Sequence, residues 1–161
     1  MNTARTIAIV AVAGAVLLTG CAPGGLVPHG PTDPASSISP RQQWKADGTI
    51  SDAARAIDGS METAARGREG LAGQSITLDL GKACLFNLIR VDHGPYPDGY
   101  AETIAVYVSL DGQSFEPVHR GPGTRGSTYA NLMTPVLARY VRVENVSAGP
   151  RGWAVAEIVI R

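Results

Sequence analysis

The feature that most constrains this chain is a series of short runs in which apolar and polar residues alternate with period two. Ser75-Ile76-Thr77-Leu78-Asp79-Leu80 puts Ile76, Leu78 and Leu80 on one face, and Gly81 ends the run. Phe86 to Asp92 follows, with Ile89 and Val91 facing one way and Arg90 and Asp92 the other. Ile104 to Ser109 alternates again, and Leu110-Asp111-Gly112-Gln113 supplies an Asp-Gly hairpin turn into Phe115 and Val118. Arg139 to Val143 and Ala154 to Ile160 complete the set. Short strands with Gly, Pro and Asp between them predict an all-β jelly-roll sandwich. No helical pattern exceeds two turns, which argues against parallel α/β folds.

Residues 1–20 stand apart. Arg5 is the only charge before an apolar run from Ile7 to Leu18, the layout of a secretory signal and short for a membrane span of ~20 residues. The run ends in Leu18-Thr19-Gly20-Cys21, which resembles the bacterial lipobox. That resemblance implies cleavage before Cys21 and lipidation of its sulfur, with the protein held on a membrane surface outside the cytoplasm. Ala22 after the cysteine points to the outer membrane in a bacterium that has one. Residues 21–40 hold Pro23, Pro28, Pro31, Pro34 and Pro40 among glycines and serines, and read as a tether. Residues 41–161 are then one domain, large enough for a core of its own.

Lysine plus arginine (14) equals aspartate plus glutamate (14), so no basic field for nucleic acid exists. With Cys21 assigned to lipid, Cys84 is left alone and reads as a buried small apolar residue. His29, His93 and His119 show no metal-ligand spacing, and no nucleophile elbow or metalloprotease helix is present. Gly121-Pro122-Gly123-Thr124-Arg125-Gly126 has the spacing of a dinucleotide fingerprint but runs into a strand-like segment, so it reads as a loop. The expectation is a protein that is not an enzyme.

Two stretches carry binding chemistry. Ala56 to Thr63 joins a helix-like run (Asp52 to Ile57) to a turn with a carboxylate at Asp58, a glycine at 59 and hydroxyls at Ser60 and Thr63. Such oxygen donors suit calcium, and they equally suit an Asx turn capped by its own side chains. The second stretch, His93 to Glu102, displays Tyr96 and Tyr100 with His93 and two carboxylates, stiffened by Pro95 and Pro97. Sugar sites combine an aromatic plane with a few fixed polar groups, and Arg66, Arg68, Arg125 and Arg151 lie on other loops as possible forks. The alternative is that these tyrosines cover the end of the core. Trp44 and Trp153 abut strand-like runs and read as core-edge residues.

In order and spacing, Ala56-Ile57-Asp58-Gly59 with Thr63, Ile76 to Gly81, Val108 to Gly112 with Phe115, Arg139 to Val143 and Ala156-Glu157-Ile158 resemble the discoidin domain. This is the coagulation factor V/VIII C-type domain, which in bacteria overlaps with carbohydrate-binding module family 32. The resemblance implies a structural calcium ion held by Asp58 and Glu157, by Thr63, and by carbonyls of Arg55, Ser60 and Ala156. The chain departs from the family at Ser60, where Asp or Asn is common, and at Ala65, where tryptophan is common. Joining Asp58 to Glu157 would close a loop of nearly a hundred residues, a closure entropy of about 4 kcal/mol. The function expected is recognition of a glycan through loops at one end, His93, Tyr96, Tyr100, Arg66, Arg125 and Arg151 being the candidates. The alternative is an envelope module of the same fold that binds a protein or a lipid headgroup.

Overall fold

The structure, a computed structural model, describes residues 37–161. The expected signal peptide, the lipidated Cys21, the tether as far as residue 36 and His29 lie outside the described residues. The period-two runs form strands: β1 (Lys45–Gly48), β2 (Ala65–Arg66), β3 (Gln74–Asp92), β4 (Thr103–Ser109), β5 (Glu116–Pro122), β6 (Ser127–Ser147), β7 (Ala154–Val155) and β8 (Glu157–Ile160). Helical residues among those described are confined to two 3-10 turns, Arg41–Gln43 and Ala53–Ile57. All strand pairs are antiparallel, as a jelly-roll sandwich requires.

β3 and β6 form the spine. Their pairing runs from Gln74 opposite Asn145 to Asp92 opposite Ser127, interrupted between Asp79 and Cys84 and again between Phe86 and Leu88. The sequence predicts two strands here, broken at Gly81, whereas one strand runs through. Gly81 takes φ +80, and the irregular register lets the strand bend without ending. The first half of β3 pairs with β1 and the second half with β8, so one strand serves both layers of the sandwich. The final run, which the alternation predicts as one strand, divides at Ala156. Its N–H leaves the ladder for the Asp92 carbonyl at 2.8 Å, and β7 pairs with β2 instead.

Apolar parity decides the core. Ile76, Leu78 and Leu80 of β3, Ile104 and Val106 of β4, Val141 and Val143 of β6 and Ile158 of β8 are all fully buried or nearly so. Trp44, Trp153 and Cys84 are buried with them, as the sequence suggests. The domain begins earlier than residue 41. Ile38 packs on the core, and Ser39 is buried with its hydroxyl donating to the Leu80 carbonyl. The Trp44 indole N–H in turn reaches the Ser39 carbonyl at 3.1 Å, so these residues belong to the fold and not to the tether.

The registers give the sandwich two distinct ends. Thr103 lies opposite Ser147, so the segments 93–102, 123–126 and 148–153 gather at what we call the loop end. Ser109 and Asp79 both lie opposite Tyr140, so the β3 bend, the hairpin 110–115 and the irregular stretch of β6 gather at the turn end. The Lys82 ammonium reaches the Ser37 hydroxyl at 3.4 Å, and the described chain therefore starts at the turn end. Ile76→Ala, in a fully buried site on the central strand, is expected to cost about 2–5 kcal/mol, read as a lowered urea midpoint with an unchanged slope.

Candidate functional site

The turn at Asp58 is built by its own hydrogen bonds. Asp58 closes the second 3-10 turn, Gly59 takes φ +81, and the Ser60 N–H donates to Asp58 Oδ1 at 2.8 Å. The Thr63 hydroxyl donates to Oδ2 at 2.6 Å, and this bond is the first cause that holds the Asp58 carboxyl below its usual range. From the other end of the chain, Glu157 Oε2 accepts the Gly59 N–H at 3.0 Å. The two acidic residues therefore meet at one turn.

Glu157 is buried, and its Oε1 faces the Arg41 guanidinium without a well-formed hydrogen bond. The Arg41 guanidinium is thus the cation this carboxylate meets in the structure, with Asp58 and the hydroxyl residues Ser60 and Thr63 on the turn beside it. Among the described residues no three acidic, histidine or cysteine side chains gather around a common point. An ion here would therefore draw on Asp58, Glu157 and Thr63 and complete its shell with carbonyls such as those of Arg55, Ser60 and Ala156. These donor types are the ones calcium takes, at a place where Arg41 already supplies a positive charge.

The turn also places the loop that follows β3. A Cβ on Gly94 would lie 2.6 Å from both the Met61 carbonyl oxygen and the Ala156 methyl, so the loop's first residues rest on the turn and on the last strands. Beyond it, Arg66, Glu69, Tyr96, Asp98, Arg151 and the two prolines line an open hollow of about 400 Å³ at the loop end. The Arg66 guanidinium lies 3.9 Å from the Tyr96 ring centroid, a stacking distance that covers one face of the ring. The Arg125 Nε donates to Asp98 Oδ1 at 2.8 Å, so Arg125 braces the loop from its neighbour.

A family model described as the F5/8 type C domain matches residues 34–158. The chain belongs to this family. No curated protein matches it. Among solved structures, the F5/8 type C chain is similar to the CpGH89CBM32-5 module of Clostridium perfringens, solved with GalNAc-beta-1,3-galactose. The two are 23% identical, with 78% of this chain and 99% of that chain covered and a TM-score of 0.68. It is also similar to the family 32 module of NanJ from C. perfringens, solved with galactose (18% identical, 78% and 97% covered, TM-score 0.66). A third is chitosan-binding module 1 of a chitosanase/glucanase from Paenibacillus sp. IK-5 (24% identical, 79% and 97% covered, TM-score 0.62). At these identities the likeness carries the fold and not the ligand.

Within this F5/8 type C domain, the sequence-based candidates divide. Tyr96, Arg66 and Arg151 line the hollow together. His93 does not: it is 0% exposed, and both ring nitrogens are engaged. Nδ1–H donates to the Ala154 carbonyl at 2.7 Å and Nε2 lies 3.1 Å from the Thr128 hydroxyl. Expecting it on the surface was wrong because the turn places its ring between β7 and β6. Tyr100 is half-buried with its ring 6.4 Å from that of His93, and it lies outside the hollow's lining. Glu69 was not singled out from sequence. An exposed glutamate in a glycine-rich loop carries no signal of its own until the fold brings it to Tyr96.

Burial pulls the His93 pKa below its ordinary value, against the opposing pull of the Ala154 carbonyl and Asp92. The native state thus holds the ring neutral while the unfolded chain takes up a proton from about pH 6.5 downward, and stability is lost as pH falls through that range. The melting temperature is expected to fall between pH 7.5 and pH 5.5. His93→Gln, though less stable at pH 7.5, should show a flatter profile. The depressed carboxyls of Asp58 and Asp79 act in a lower window, below about pH 4, and do not mask this slope.

Proposed function

We propose that this chain is a lipid-anchored, non-catalytic binding module outside the cytoplasm that recognises a glycan at its loop end. The observation that carries the reading is the hollow itself. Its volume falls within the range of small-ligand sites, and it combines a tyrosine ring with two arginine forks and two carboxylates on a rigid frame. The ligands with which the similar structures were solved, galactose and a GalNAc-galactose disaccharide, support a sugar as the class of ligand. The lipobox-like Leu18-Thr19-Gly20-Cys21 supports the anchor, with the outer membrane as its place in a bacterium that has two.

Arg66 shapes how the site would work. Its stacking on Tyr96 keeps one ring face dry and preorders the guanidinium, whose N–H groups remain available for sugar hydroxyls. The full chain, purified in detergent and applied to a glycan array, is expected to bind a restricted set of glycans. Tyr96→Ala and Arg151→Ala should each weaken that binding roughly tenfold, the loss of one aromatic contact or one charged fork. Silence across the array, with binding to an envelope protein or to lipid headgroups, would replace the glycan reading.

We further propose that calcium sits at the Asp58 turn as a structural ion and takes part in no chemistry. Chelation is expected to lower the melting temperature of the domain by several degrees, and Asp58→Ala should remove the difference between the chelated and calcium-loaded samples. An identical melting curve with and without chelator would defeat this assignment.

A further inference from the structure

The turn end, opposite the hollow, carries an apolar surface that the fold does not use. Leu85, Leu110 and Leu137 are 45%, 60% and 51% exposed, and Met133 is fully exposed. Leu85 and Leu137 are register partners, side by side on β3 and β6. Leu110, in the β4–β5 hairpin, lines one hollow with Leu137. Met133 rises from the stretch 132–135, where β6 leaves its ladder with β3. A surface strand gains nothing by showing several large apolar side chains together, and such patches mark sites that meet another apolar phase.

We propose that this end rests on the lipid bilayer to which the chain is tethered, with Met133 and the three leucines entering the interfacial layer. This rests on the reading of Cys21 as lipidated. The described chain begins at this same end, at Ser37 beside Lys82, sixteen positions after Cys21. Sixteen residues span at most about 55 Å, so a lipid on Cys21 keeps the domain within that distance of the membrane and attaches it through the end that carries the apolar surface. Tethering makes the contact intramolecular, and side chains too few to bind vesicles alone then suffice. Charge at this end is mixed, Lys82 and Arg139 against Asp79, Asp111 and Glu116, with Arg139 paired to Asp79, so the surface offers no cationic patch for anionic headgroups and neutral lipid is the phase to test. The same placement turns the Tyr96 hollow away from the bilayer, towards outside molecules.

The test uses the full lipidated chain in phosphatidylcholine vesicles, with an environment-sensitive fluorophore on Met133→Cys or, at the loop end, on Thr124→Cys. Buried Cys84 stays unlabelled. Doxyl-labelled phosphatidylcholine is expected to quench the probe at 133 by about twofold or more and to leave the probe at 124 unchanged. Adding Leu110→Ser and Leu137→Ser to the Met133→Cys chain should abolish the quenching. No quenching at 133, equal quenching at both positions, or contact between probes on two copies of the chain overturns the proposal. Intact mass separates the two failures. A chain that carries its lipid on Cys21 but shows no quenching sinks this proposal alone, whereas a chain without the lipid sinks the anchor reading and this proposal with it.

Discussion

The Gly59 N–H and the Glu157 carboxylate, 98 positions apart in the chain, form the contact on which the loop end depends. The Asp58 turn has little apolar material of its own. Gly59 and Asp58 are exposed, and Ser60 is only half-buried. What holds the turn is a carboxylate from β8, a strand fixed by its ladder to the second half of β3 and by the buried Ile158 and Ile160. Once the turn is held, Met61 and Ala156 form the floor on which Gly94 lies, and the loop from 93 to 102 has one place to go. The carboxylate contributes through a part-buried, charge-assisted hydrogen bond, which matters against a total stability of ~5–15 kcal/mol.

The opposite end follows a different logic. There β3 and β6 bend between layers through irregular registers, and bends expose side chains that a flat ladder would cover. Leu85 and Leu137 are still neighbours at the bend but face outward. The two ends thus differ: the loop end gathers Tyr96, Arg66 and Arg151 around one hollow, and the turn end shows Leu85, Leu110, Leu137 and Met133 among mixed charges. Gly123 and Gly149 keep the loop end compact, each lying against the backbone carbonyls of Tyr100 or Ala101 where a side chain would not fit.

Much of the fold is legible in the alternation because a half-buried strand exposes its period directly in the residue types. Ile104 to Ser109 and the Asp-Gly hairpin are found where the pattern places them. The β3 bend is not legible. Gly81 looks like a terminator, and only the pairing of Cys84 with Ala138 beyond it shows that the strand continues. The candidate site is read less well for a related reason. His93 sits in a loop full of prolines and glycines, where exposure is the natural expectation, yet Ala154 and Thr128 come from distant segments to take both its nitrogens.

The sequence by itself determined the strand faces, the hairpin, the oxygen-rich turn and the family motifs, because each is written within a few neighbouring residues. It also carries the apolar run and Cys21 on which the lipobox resemblance rests, features of composition and not of packing. Only the tertiary structure decided that Glu157 reaches the Asp58 turn, that Tyr96 is covered by Arg66 while His93 is buried, and that four exposed apolar side chains share the end where the described chain begins. Those outcomes depend on which strands pair and where they bend. Pairing across a hundred residues is set by the summed burial of the whole core, and no local stretch of sequence records it.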